Sequence, residues 1–198
     1  MKKKLLLIAS LCLTMIVSAQ KTKRDEGIKL GIKGGLNVSN FIGDGMEDKN
    51  NTFRTSIHLG ILTEIIVSDK FSIQPELLYS GQGYSGSATP GFSRSKYNYL
   101  NLPVMAKIYV ADRVSIEAGP QLGFLLYAKE RTDTDINTIE NQKTVDFGLN
   151  LGLAYDLKNG VFFQTRYNLG LSNINSGTDA IANKYTNSVI QFSVGYLF

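Results

Sequence analysis

The sequence predicts an all-β protein, specifically an eight-stranded antiparallel up-and-down transmembrane β-barrel. Three observations predict it. Apolar and polar residues alternate with period two along most of the chain after residue 20, the segments are joined by alternately short and long connections, and the polar phase carries glycine, amides and balanced charge. Only 19% of the 198 residues are charged, below the roughly one quarter usual for a soluble domain. The single Cys (Cys12) and single His (His58) exclude a disulfide framework, a CxxC redox pair and a Cys- or His-rich metal site within one chain.

The first element is an export signal. Lys2, Lys3 and Lys4 precede a 13-residue uncharged run from Leu5 to Val17, and Val17-Ser18-Ala19 supplies the small residues of a cleavage site after Ala19. The run falls short of the roughly 20 apolar residues that span a bilayer as a helix. Cys12 lies in its middle behind Leu11, which does not suit lipidation. The expected organisation is a signal peptide over 1–19, a short periplasmic lead over 20–27 and a barrel domain over 28–198. Removing the three leader lysines from 21 basic residues leaves 18 against 17 acidic ones, a net charge of +1. The apparent basicity belongs to the leader, which argues against nucleic acid as a partner.

Eight strands follow. Residues 28–39 place Ile28, Leu30, Ile32, Leu36 and Val38 on one face and Lys29, Gly31, Lys33, Gly35, Asn37 and Ser39 on the other. From Val145 to Leu157 every odd position is apolar or aromatic, while the even positions are Asp, Gly, Asn, Gly, Ala and Asp. Six further segments, at about 53–67, 71–82, 96–110, 114–128, 161–171 and 187–198, follow the same rule less strictly. The connections Ser68-Asp69-Lys70, Ala111-Asp112-Arg113 and Lys158-Asn159-Gly160 are tight, and the last carries an Asn-Gly hairpin signal. Long polar connections lie at 41–52, 83–95, 129–143 and 172–186. Short turns at one end and long loops at the other are the plan of an outer-membrane barrel with both termini on the short-turn side.

Alternation alone leaves a soluble lipocalin-like carrier open, since such a barrel turns its apolar face inward. The composition of the polar phase favours the membrane. Its small residues suit the narrow interior of eight strands. Its charges balance five against five: Lys29, Lys33, Arg54, Lys107 and Arg166 with Glu64, Glu76, Glu117, Asp146 and Asp156. These ten are expected to form a structural interior network. Aromatics of the apolar phase gather towards the strand ends, as at the two girdles of a membrane barrel: Phe71, Tyr155, Phe163, Tyr196 and Phe198 on one side, Phe53, Tyr79, Phe147 and Tyr167 on the other. Pro75, Pro103 and Pro120 run against the pattern, and bulges or strand ends are expected there.

With the segments laid out, the chain resembles the PorT-like outer-membrane β-barrel family of Bacteroidetes. The resemblance rests on Gly31-Ile-Lys-Gly-Gly-Leu-Asn37, Gln74-Pro-Glu-Leu-Leu-Tyr-Ser80, Tyr99-Leu-Asn-Leu-Pro-Val-Met-Ala-Lys107, Gly119-Pro-Gln-Leu-Gly123 and Gly195-Tyr-Leu-Phe198. It implies an outer-membrane location and a terminal Phe198 that looks like the insertion signal read by the barrel-assembly machinery. Family members with assigned roles serve secretion and gliding. No catalytic residue belongs to these motifs.

Signals of chemistry are weak. Gly81-Gln-Gly-Tyr-Ser-Gly86 is a GxGxxG string, but Ser87-Ala-Thr-Pro90 follows where a helix would have to hold a pyrophosphate, so a Gly-rich loop is expected. Asp133-Thr-Asp-Ile-Asn137 opens like a calcium loop, yet the sixth position is Thr138 and the twelfth Thr144. His58 shares a face with Ser56 and, further along, Glu64. Neighbours on one strand face stand roughly 6–7 Å apart, too far for a direct Ser–His bond. The expected function is a non-enzymatic barrel with a plugged interior and no cofactor, which binds outer-membrane lipid and presents its four long loops to an envelope partner. The alternatives are a barrel hydrolase using His58, or the soluble carrier.

Overall fold

The computed structural model describes residues 27–43, 52–87, 92–131, 136–138, 143–173 and 185–198. The leader falls outside these residues. Eight long strands are present: β1 (Gly27–Gly43), β2 (Thr52–Ser68), β3 (Phe71–Ser87), β4 (Phe92–Ala111), β5 (Val114–Arg131), β7 (Val145–Asp156), β8 (Val161–Gly170) and β9 (Tyr185–Leu197). A three-residue strand, β6 (Ile136–Thr138), pairs with Lys129–Arg131 at the far end of β5. Each long strand is antiparallel to its neighbours in the chain, and β9 pairs with β1 to close the barrel. Closure leaves the eight long strands without an edge strand among them, so their ladders pair around the ring.

The alternation resolves into an apolar outer wall and a polar interior. Over β7 the burial alternates strictly, with Val145, Phe147, Leu149, Leu151, Leu153 and Tyr155 outside and Asp146, Gly148, Asn150, Gly152, Ala154 and Asp156 inside. A soluble carrier would have the reverse arrangement. The expected girdle aromatics Phe53, Tyr79, Phe147, Tyr155, Phe163, Tyr167, Tyr196 and Phe198 lie on the outer surface.

Two expectations are corrected. The strands run further than their hydrophobic phase suggested. β3 and β4 pair out to Ser87↔Phe92, so most of the expected 83–95 loop is strand. The GxGxxG string therefore ends a strand and is neither a loop nor the prelude to a helix. Gly83 permits this: its φ of +128° suits glycine, and a Cβ there would strike the Ser95 carbonyl.

Nor do the prolines sit at bulges or strand ends. The β2–β3 ladder lapses around Pro75 and resumes in unchanged register, from Leu62↔Glu76 to Ile65↔Ile73. Around Pro103 the β3–β4 ladder lapses between Pro75↔Val104 and Leu78↔Asn101. Around Pro120 the β4–β5 ladder lapses between Pro103↔Gln121 and Ala106↔Ala118. In an antiparallel sheet a residue directs both its polar backbone groups to one neighbour, so a missing donor opens one ladder only. Each proline keeps its partner on the other side: Val104, Gln121 and Leu149 respectively.

True register shifts lie elsewhere: between Phe53 and His58 and between Ile66 and Ser68 on β2, between Tyr109 and Ala111 on β4, and opposite Asn98/Tyr99, where Leu126 is the extra residue on β5. At the short-turn end, Gly160 with φ +88° completes the Asn-Gly turn into β8.

The outward apolar wall makes a direct prediction. Leu151, 61% exposed, lies at mid-strand on β7. Leu151→Arg is expected to cost about 2–4 kcal/mol in unfolding from lipid vesicles, whereas a comparable change on a water-facing surface would stay within about 0.5 kcal/mol.

Candidate functional site

Among the described residues, the barrel interior concentrates the buried polar and charged side chains. Register brings its long side chains together by placing glycine between them. On β1, Lys33 stands opposite Gly60 of β2 and Gly195 of β9. On β7, Gly152 stands opposite Glu117 of β5 and Arg166 of β8. A glycine between two strands leaves the space in which its neighbours' side chains can meet over it.

Six of the ten predicted charges join into one chain of contacts. The Lys33 ammonium lies 2.7 Å from Glu76. Arg166 grips the same carboxylate with both terminal nitrogens, at 3.0 and 2.9 Å, and reaches Glu117 at 3.1 Å. Lys107 sits 3.7 Å from both Glu117 and Glu64. Three cations thus meet three carboxylates, and all six are nearly fully buried. Neutral groups complete the set: Gln164 accepts from Lys33 at 2.8 Å and donates to Glu117 at 2.7 Å. Gln74 donates to Glu76 at 2.6 Å, and the Tyr109 hydroxyl donates to Glu64.

The other four predicted residues are not joined to it by the ion pairs above, although Asp156 attracts Lys107 electrostatically. Asp146, near the long-connection end, accepts from the Asn187 amide at 2.6 Å. Asp156 is buried at the short-turn end of β7. Arg54 is half-buried and donates to the Gln82 carbonyl. Lys29 is half-buried opposite Glu64, near the start of β1.

His58 is only 2% exposed, and its partners are not those its own strand suggested. Instead of Ser56 or Glu64 it meets Asn37 through Nδ1 and Ser193 through Nε2, each at 2.8 Å. The reason is again a glycine, since Gly35 lies opposite both His58 and Ser193. Asn37 donates through Nδ2 to Ser80 at 2.9 Å and to the Gly81 carbonyl at 2.7 Å. Its Oδ1 is then the acceptor, so His58 carries its proton on Nδ1 and accepts from the Ser193 hydroxyl.

Sequence reasoning missed Gln74, Tyr109, Gln164 and Ser193, although all four lie on the polar phase. It also missed an aromatic group inside the barrel towards the long-connection end. Phe41 packs on Tyr84 and Tyr97, with ring centres 5.2 and 5.1 Å apart, beside Tyr99 and Ala128. The available signal was aromatic residues occurring on the polar phase. Of the calcium-like loop, residues 132–135 and 139–142 lie outside the described residues. Among the described residues no three His, Cys, Asp or Glu side chains converge to hold a metal ion.

A closed antiparallel barrel with an apolar outer wall, aromatic ends and a charge-paired interior defines a membrane β-barrel protein. The model of the outer membrane protein beta-barrel domain matches residues 18–176, and the chain belongs to that family. It is located in the outer membrane. No curated protein matches it. Among solved structures it is similar in fold to Ail, the attachment invasion locus protein of Yersinia pestis, with 13% identity, a TM-score of 0.53, and 88% of this chain and 100% of that one covered. It is likewise similar to Neisserial surface protein A (12% identity, TM-score 0.54, 87% and 100% covered). A further structure of the Yersinia pestis protein, in complex with the heparin analogue sucrose octasulfate, aligns at 12% identity and a TM-score of 0.51, covering 86% of this chain and 99% of that one.

The paired interior predicts an asymmetric response to mutation. Glu76→Gln removes the carboxylate that Lys33 and Arg166 share, leaving an uncompensated buried positive charge, and is expected to cost about 3–5 kcal/mol. Gln164→Ala, which removes a neutral member, is expected to cost about 1–3 kcal/mol. Urea unfolding from vesicles, read by the heat-modifiable gel shift, measures both.

Proposed function

We propose that this protein is a non-enzymatic barrel of the PorT-like group of Bacteroidetes, which anchors or recruits a partner protein in the cell envelope. In this reading residues 1–19 are a cleaved leader, 20–27 a periplasmic lead and 28–198 the barrel. The barrel contributes a rigid, lipid-embedded support. The connections at 41–52, 129–143 and 172–186, with the extended β3–β4 hairpin that occupies most of 83–95, supply the recognition surface, as loops on rigid scaffolds commonly do. The observation that carries the reading is the six-membered ion-pair chain from Lys33 to Glu64. It fills an eight-stranded interior that has little width to spare, so it acts as a plug and not as a path for solutes.

Tagging the 129–143 segment and cross-linking in cells tests this. One stoichiometric envelope protein is expected in the recovered material by mass spectrometry. Recovery of the barrel alone, together with bulk outer-membrane proteins, would overturn the recruiting role.

One observation favours a second reading, a barrel hydrolase. Ser193, His58 and Asn37 are connected in the order nucleophile, base and orienting group. Against it, Ser193 is 5% exposed and faces the barrel interior, where an ester or amide would have to displace the plug. His58→Ala separates the readings. It is expected to leave partner recovery intact, whereas loss of ester or amide cleavage by the purified barrel would establish the hydrolase.

A further inference from the structure

The outer face of β4 and β5 carries an arrangement that a sheet ordinarily avoids. Lys96 stands directly opposite Lys129. Like charges directly opposed across an antiparallel pair destabilise it. Both lysines are exposed, and each ammonium lies 5.7 Å from the centre of a single ring, that of Tyr127.

The depth of this cluster is fixed by what lies below it. On β4 the outward positions from Val110 to Leu100 are apolar. Eleven residues of tilted strand cover roughly 25 Å, the height of the apolar band of an outer-membrane barrel. Above Leu100 comes Asn98, whose amide donates to the Tyr127 hydroxyl at 2.5 Å and also to that of Tyr79. Tyrosines at this height mark the membrane–water interface. Lys96 and Lys129 stand one pleat repeat further out, at the depth of lipid headgroups. The extra residue Leu126 makes this possible. It reverses the phase of β5, so that Leu126 and Tyr127 both face outward, Ala128 turns in and Lys129 faces out.

We propose that Lys96 and Lys129 form a binding site for a phosphoryl group of a phosphorylated lipid in the outer leaflet. A phosphomonoester carries about −1.5 to −2 charges at neutral pH, so it converts the repulsion between opposed cations into shared attraction. Arginine and lysine are the side chains suited to such oxygens. The lipid is favoured over a soluble anion because the cluster is continuous with the apolar wall. Acyl chains below the headgroup would lie along Leu102, Val104, Leu122 and Leu126, all of which face outward. The site rests on the outer-membrane placement of the chain and is independent of the recruiting role and of His58.

The test uses the full mature barrel in neutral detergent, titrated with bisphosphorylated lipid A and read by native mass spectrometry. Retention of the lipid is expected. The Lys96→Gln/Lys129→Gln variant should weaken it at least tenfold while keeping the heat-modifiable gel shift of a folded barrel. Lys70→Gln, at the opposite rim, should leave retention unchanged. Equal retention by the double variant, or equal retention of dephosphorylated lipid A, would overturn the proposal. So would displacement of the lipid by inorganic phosphate or by a heparin hexasaccharide at matching concentration, since the site would then belong to a free anion or a sulfated polysaccharide.

Discussion

A barrel of eight strands has an interior that side chains fill, and the rest of the structure depends on how the charges buried there are neutralised. Charges in a dry interior are tolerated only when paired and hydrogen-bonded. Three cations and three carboxylates meet this condition by sharing partners. Glu76 serves both Lys33 and Arg166, Glu117 serves both Arg166 and Lys107, and Lys107 extends the chain of contacts to Glu64. Sharing couples strands that are not neighbours: Arg166 on β8 holds Glu76 on β3, a residue 90 positions away. The ion-pair chain therefore acts as a set of struts across the barrel.

The struts need room, and glycine provides it through one repeated device. Gly152 lies between Glu117 and Arg166, Gly35 between His58 and Ser193, and Gly123 between Asn101 and Asp146. In each case a strand contributes no side chain to a layer, so the residues on either side share the space. A Cβ at Gly35 would also strike the Phe192 carbonyl of the adjoining strand. The backbone thus approaches closely where the side chains span widely. Interior glycines here are part of the charge design rather than signs of flexibility.

This explains what was legible in the sequence and what was not. Period two reveals which face each residue takes, so the polar set, the apolar wall and the strand number could be read directly. Who pairs with whom depends on register around a closed ring, to which single-strand spacing is blind. Ser56, two residues from His58, is a neighbour in sequence, yet the partner is Ser193, 135 positions away, because both flank Gly35. The prolines misled for a related reason. A missing donor was read as a break in the strand, whereas the antiparallel ladder confines its effect to one side. The ends of the strands were underestimated because the hydrophobic signal stops where the membrane stops, while hydrogen bonding between β3 and β4 continues to Ser87↔Phe92.

The same point separates the functions of the three zones of the molecule. Alternation must be strict only where lipid lies on one side and the plug on the other. β7 obeys it without exception over its twelve residues. Beyond the apolar band the constraint relaxes, and there the chain admits an extra residue at Leu126, aromatic side chains inside the barrel, and like charges facing each other on β4 and β5. A local cost at the rim is sustainable because the closed ladder and the ion-pair struts already fix the wall beneath it. Departures from the pattern at that level are accordingly the informative ones: they occur where folding no longer dictates the residue, and Lys96 and Lys129, which already share the Tyr127 ring, stand where a phosphoryl group would relieve their remaining repulsion.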